Sequence, residues 1–205
     1  MDVLTLTETQ RDALQEIANI GASHAATALS QMVGQPIRIG IPSVDVIPLE
    51  KTIDCVRDHE VVAGVLLQIT DTLSISTLLL ISQESALSLS HLLLGESQET
   101  DQQALSEMEQ SALMEVGNVM MSSFFDSLSE LLGLSIIPGP PSLAYDMPAA
   151  VMDYVLIQLG EVAETVVVFN CEIKGEQGES FDVNLFLLPK PESVRIILDT
   201  LGVKE

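Results

Sequence analysis

DALQEIANIGAS, residues 12–23, and SALMEVGNVMMS, residues 111–122, are the stretches on which the fold turns. Each carries a polar residue, a glutamate and an asparagine at spacings of four and three: Asp12, Glu16 and Asn19 in the first, Ser111, Glu115 and Asn118 in the second. Such spacings put a triplet on one stripe of an α-helix. A proline follows each asparagine by 23 residues, Pro42 in one copy (42 − 19) and Pro141 in the other (141 − 118). The constant offset of 99 residues (115 − 16, 118 − 19, 141 − 42) marks an internal repeat, with copies at about 5–95 and 104–202. A carboxylate and an amide held in register in both halves read as a site present in duplicate.

Working outward, Thr7 and Gln10 form the T-x-x-Q pattern of a capping box ahead of the first stretch, and Ser106 and Glu109 do the same ahead of the second. Gly34 and Gly133 are placed to stop the helices. Both helices should therefore be about seven turns long. Opposite the polar stripe of the first lie Leu14, Ile17, Ala18, Gly21, Ala25, Ala28, Leu29 and Met32; opposite that of the second lie Leu113, Val116, Gly117, Met120, Phe124, Leu128 and Leu131. These apolar arcs predict packing on a sheet, with both Glu/Asn pairs projecting to solvent. Gly21 and Gly117 would permit close backbone approach.

After each helix comes an extended segment, Ile37–Ile41 ended by Pro42 and Leu134–Ile137 ended by the Pro138–Pro141 turn, and then a short strand at Val44–Leu49 or Leu143–Met147. Val61–Ile69 with Leu73–Ile81, joined by Thr70-Asp71-Thr72, and Val162–Lys174 with Glu179–Leu188, joined by Gly175–Gly178, read as hairpins. Ser82–Leu94 before Gly95 and Pro191–Leu201 before Gly202 read as closing helices, and the polar stretch Glu96–Gln103 joins the halves. The expected fold class is α/β (α+β): a single domain over residues 1–205 with internal pseudo-two-fold symmetry, one continuous antiparallel sheet and two long exposed motif-bearing helices.

Composition bounds the chemistry. Hydrophobic residues make up 47% of the 205, so the chain folds, and with 3% aromatics and no Trp its core is aliphatic. The formal net charge is −22, with 8 basic against 30 acidic residues. That argues against nucleic acid and against anionic membrane surfaces, both of which reward Lys and Arg. No apolar run reaches the roughly 18–20 residues of a membrane span, and the acidic start lacks a signal-peptide pattern, so a cytoplasmic protein is expected. Cys55 and Cys171 lack metal or redox spacing and are expected to be small buried residues on strands. His24, His59 and His91 are scattered and expected at the surface or at edges; Asp153, Glu161 and Glu164 flank strands and should be solvated. No metal or cofactor site is expected in the chain itself.

An exposed glutamate and asparagine one turn apart offer no nucleophile. The carboxylate can act as a base, anchor a lysine or join a metal site, and the amide can hold a water through its donor and acceptor groups. Positioning a water is catalytic when the substrate already carries its metal and electrophile. One E-x-x-N alone is a weak signal; two in register, each with its own proline, capping box and stop glycine, are a strong one.

The pattern [D/S]-x-x-x-E-x-x-N with its distant proline, and the strings E-I-A-N-I-G-A at Glu16–Ala22 and E-V-G-N-V at Glu115–Val119, resemble the chemotaxis phosphatase family of CheC, CheX and FliY. Two intact copies resemble CheC more than CheX. The resemblance implies hydrolysis of the aspartyl phosphate of the response regulator CheY. On that resemblance Glu16 and Glu115 would ion-pair with a lysine of the regulator, while Asn19 and Asn118 would orient the attacking water. Asp12, Ser111, Pro42 and Pro141 would support the motif. Mg²⁺ would belong to the regulator, and the receptor deamidase CheD would be a second partner. The internal duplication, which can substitute for a homodimer, sets the expectation of a monomer. The rival expectation is a non-catalytic adaptor that binds the regulator, the deamidase or both.

Overall fold

The computed structural model describes residues 7–55, 61–70, 73–95, 104–159, 165–176 and 178–200. In chain order the elements are α1 (Glu8–Val33), β1 (Arg38–Pro48), a short 3-10 helix (Leu49–Cys55), β2 (Val62–Ile69), β3 (Ile75–Ser82) and α2 (Gln83–Leu94). The second half follows with α3 (Glu107–Leu132), β4 (Ser142–Asp146), α4 (Pro148–Leu159), β5 (Thr165–Lys174), β6 (Ser180–Pro189) and α5 (Pro191–Thr200). Six strands form one sheet in the order β1-β5-β6-β3-β2-β4, and every neighbouring pair is antiparallel. Exchanging the halves reverses this order and leaves it unchanged, so the repeat in the sequence is a two-fold relation in the sheet. Each half lends its edge strand to the other half's hairpin: β1 pairs with β5, and β4 with β2. The halves thus interlock.

The inner strands read almost continuously apolar because both faces of the sheet are covered. In β3, ISTLLLIS, the first seven residues are all buried. One core joins α1, α2 and α3 to the face carrying Val65, Leu67, Leu79, Phe169 and Leu185. A second, smaller core joins Val151, Met152 and Val155 of α4 to Val62, Leu66, Leu78, Leu80 and Phe186 on the opposite face. Neither α4 nor the 3-10 helix is expected from the pattern of strands and hairpins. They begin at Leu49 and Pro148, again 99 residues apart (148 − 49), and the sheet's second apolar face is the reason a covering layer is needed.

Both long helices span 26 residues, and both capping boxes form. Thr7 Oγ1 accepts from the Gln10 amide at 3.3 Å while the Thr7 amide donates to Gln10 Oε1 at 2.8 Å. Ser106 and Glu109 repeat the exchange at 3.3 and 2.7 Å. Gly34 and Gly133 end the helices at φ 71° and 64°, a conformation that favours glycine.

Several expectations need correction. Pro42 does not end a strand: β1 runs through it to Pro48, and the register shifts between Gly40 and Ser43 so that Ile41 and Pro42 together face Cys171. A bulge is where a residue without an N–H can sit in a sheet. Residues 134–141 form no strand, and Pro141 immediately precedes β4. Met32 and Leu131, on the nominally buried arcs, are exposed near the ends of their helices. Cys171 is buried on β5, and burial pushes its thiol up to about 12, but Cys55 closes the 3-10 helix and is on no strand. His91 is a core residue and not a surface one. Asp153 is exposed on α4. His59, Glu161, Glu164, Asp71, Thr72, the 96–103 stretch and residues 201–202 lie outside the described residues.

Candidate functional site

Two helices, pinned from behind, carry the motif. The buried side of α1 includes Leu14, Ile17, Ala18, Gly21, Ala25 and Leu29; that of α3 includes Leu113, Val116, Gly117, Met120, Phe124 and Leu128. The two helices also pack on each other, and Gly21 marks the crossing. A Cβ there would lie 2.8 Å from Phe124 Cα, so only glycine lets the two backbones approach this closely. Gly117 allows the corresponding approach to the sheet: a Cβ would meet Val65 Cγ1 at 2.6 Å.

On the outer side of α1, Asp12, Glu16, Asn19 and Ser23 are all exposed. The Ser23 hydroxyl is used within the helix, donating to the Asn19 carbonyl oxygen at 3.0 Å, which leaves the Asn19 amide group uncommitted. On α3, Ser111 and Glu115 are exposed, but Asn118 and Ser122 are half-buried. The expectation that both pairs project freely therefore fails for Asn118, whose helix sits deeper against its surroundings. Among the described residues, none of the four Glu and Asn side chains has an ion pair or hydrogen bond of its own within the chain. Uncommitted donors and acceptors of this kind are free to bind a visiting partner.

The surroundings of the two pairs differ. Beside α1, the bulge at Ile41 and Pro42 leaves the Ile41 carbonyl oxygen to accept from the side-chain amide of Gln15, a residue within the motif. Asn170 Nδ2 donates to Ser43 Oγ at 2.6 Å and to Asp45 Oδ2 at 3.3 Å, and Arg11 approaches Asp45 at 3.9 Å. Among the described residues this polar wall has no twin. At an offset of 99, Gln15, Arg11 and Asp45 correspond to Met114, Gln110 and Ala144.

Beside α3 the notable group is internal. Glu109 is 2% exposed; Oε1 accepts from His91 Nε2 at 2.9 Å and from Ser90 Oγ at 3.4 Å, while Oε2 caps the helix. Burial raises the Tyr145 phenol above its ordinary value; a hydrogen bond with Gln83 opposes this, and the charge on Glu109 adds to it. Sequence alone misses His91 and Gln15 because each finds its partner on another element. Among the described residues no group of three or more His, Cys, Asp or Glu side chains is placed to hold a metal ion, and no helix is long and apolar enough to cross a membrane.

A model of the CheC-like family matches residues 10–45 and 108–145, which are the two motif helices and the segments that follow them. Over 199 residues the chain is 29% identical to the CheY-P phosphatase CheC of Bacillus subtilis (strain 168), covering 95% of both proteins. The chain belongs to the CheC-like family. The chain also superposes on the crystal structure of Thermotoga maritima FliY with a TM-score of 0.79 at 26% identity, covering 98% of this chain and 100% of that one. The flagellar motor switch phosphatase FliY of Bacillus subtilis (strain 168) is 36% identical over 140 residues, 68% of this chain but only 36% of that protein. Both matched segments of the family model contain a complete Glu/Asn pair.

Proposed function

We propose that this chain dephosphorylates phosphorylated CheY, with Glu16 and Asn19 forming one site and Glu115 and Asn118 a second. The observation that carries the reading is the outward, uncommitted Glu/Asn pair on helices fixed by both capping and core packing. The similar CheC of Bacillus subtilis (strain 168) is named a CheY-P phosphatase, and the similar FliY of the same organism a flagellar motor switch phosphatase. In this reading the glutamate anchors a lysine of the regulator and the asparagine enters the phosphorylated pocket. There its carboxamide orients a water in line with the aspartyl phosphate, so that oxygen from water forms the new P–O bond as the aspartate oxygen leaves.

Charge supports the division of labour. A surface at −22 repels a free phosphate ester, so the Mg²⁺ and lysine that offset the phosphate's charge have to come from the regulator. The chain then needs to supply only geometry. The duplication gives one chain the two equivalent sites that a homodimer would otherwise provide, which supports action as a monomer. CheD is the second partner the family resemblance suggests.

A time course of phosphate loss from purified phosphorylated CheY, with and without the chain, tests the assignment. Faster loss is expected. Complex formation with no change in rate would make the chain an adaptor.

A further inference from the structure

Glu109 belongs to the capping box of α3, yet it is tied to more than its own helix. Its counterpart in the other copy is Gln10, equally buried but neutral, whose side-chain oxygen accepts from the Thr7 amide. Glu109 instead carries a carboxylate that is 2% exposed and joins three groups: the Ser106 amide at 2.7 Å, the Ser90 hydroxyl at 3.4 Å and His91 Nε2 at 2.9 Å. Ser90 and His91 are on α2, so the bonds tie the first turn of α3 to a neighbouring helix. Packing alone does not call for this arrangement. His91 is 5% exposed, and its Nδ1 has no hydrogen-bond partner among the described residues, a burden that an apolar side chain of similar size would avoid. Buried polar pairs of this kind often contribute little net stability, and their best-attested role is to fix register.

Glu115 lies six residues beyond Glu109 on the same rigid helix, about 9 Å along its axis. We infer that His91 is a positioning residue for the second site alone. Through Glu109 it holds the first two turns of α3 against α2, so that Glu115 meets the regulator in a fixed pose. The half-buried Asn118 has less freedom to compensate for a displaced helix than the exposed Asn19 does. The inference rests on the phosphatase reading for its effect on activity, but not for its effect on α3.

Two measurements test it. The first uses Asn19→Ala, which leaves only the second site, and Asn118→Ala, which leaves only the first, with phosphorylated CheY as substrate. His91→Leu is expected to raise the KM of the second site about fivefold with little change in kcat, and to leave the first site unaltered. His91→Gln, which can still donate to Glu109, should restore most of that KM. The second measurement is amide hydrogen exchange in the free protein, comparing residues 107–115 with residues 8–16. His91→Leu should accelerate exchange in the first segment only. Glu109→Gln, which reproduces the capping box that already works in α1, should do the same and guards against a variant that fails to fold. Equal effects on the two sites would overturn the inference, as would unchanged exchange over 107–115, whatever becomes of the phosphatase assignment.

Discussion

The two halves share a helix length, a capping box, a stop glycine and a Glu/Asn pair, but they differ in what surrounds the pair. In the first, Asn19 is exposed beside a polar wall built from the bulge in β1. In the second, Asn118 is half-buried and its helix is tied down through a buried carboxylate and imidazole. Duplication has therefore preserved the groups that would do chemistry while the supports beneath them diverged. A pair of this kind can divide its labour between a more open and a more constrained site without any change in the reacting groups.

The largest expected effect removes the chemistry from both halves. Asn19→Ala combined with Asn118→Ala should lower the acceleration of CheY-P hydrolysis by at least about 10²-fold, with an unchanged melting temperature, because both amides lie off the core. Stopped-flow or radiolabelled phosphate release reads it, and an undiminished rate would remove the water-orienting role. The single variants sharpen the comparison: Asn19→Ala should cost roughly fivefold more activity than Asn118→Ala, since the more accessible amide enters a partner's pocket with less displacement of its own chain. Equal losses would mean that the burial of Asn118 is relieved on binding.

Smaller effects test the supports. Gly21→Ala places a methyl 2.8 Å from Phe124 Cα and should destabilise by about 1–3 kcal/mol in denaturant unfolding, since two helix backbones must separate. It should also slow both sites, because the crossing holds both helices. Gln15→Ala removes the hydrogen bond to the Ile41 carbonyl and should cost about 1 kcal/mol, with any kinetic effect confined to the first site. Arg11→Ala breaks a 3.9 Å ion pair whose side chains are 51% and 50% exposed, and should change stability by no more than about 0.5 kcal/mol.

What could be read from the chain was local. Thr7 with Gln10 and Ser106 with Glu109 signalled two helix starts, and Gly34 and Gly133 two ends, because capping chemistry is complete within a few residues. The outward stripe of Asp12, Glu16 and Asn19 followed from helical period alone. The exchange of β1 and β4 between halves could not be read, since strand pairing at such separation leaves no local mark. In the sequence Pro42 has the look of a terminator, although a bulge opposite Cys171 lets the strand continue. The segment at Pro148–Leu159 is apolar on most of its positions and so carries little amphipathic signal, yet it covers the second face of the sheet. His91 looked unremarkable because its partner Glu109 is on another helix, and only the packing of α2 on α3 brings them to 2.9 Å.

The most direct test of the central claim asks whether Glu16 meets the regulator's lysine. In a Glu115→Gln, Asn118→Ala background, which removes both the anchor and the amide of the second site, Glu16→Gln and a lysine-to-methionine change in the CheY phosphorylation pocket are measured singly and together by affinity for CheY-P. The account predicts non-additivity of at least about 1 kcal/mol, as expected of two charges in contact. Strictly additive losses would contradict it, placing Glu16 away from that pocket in the complex.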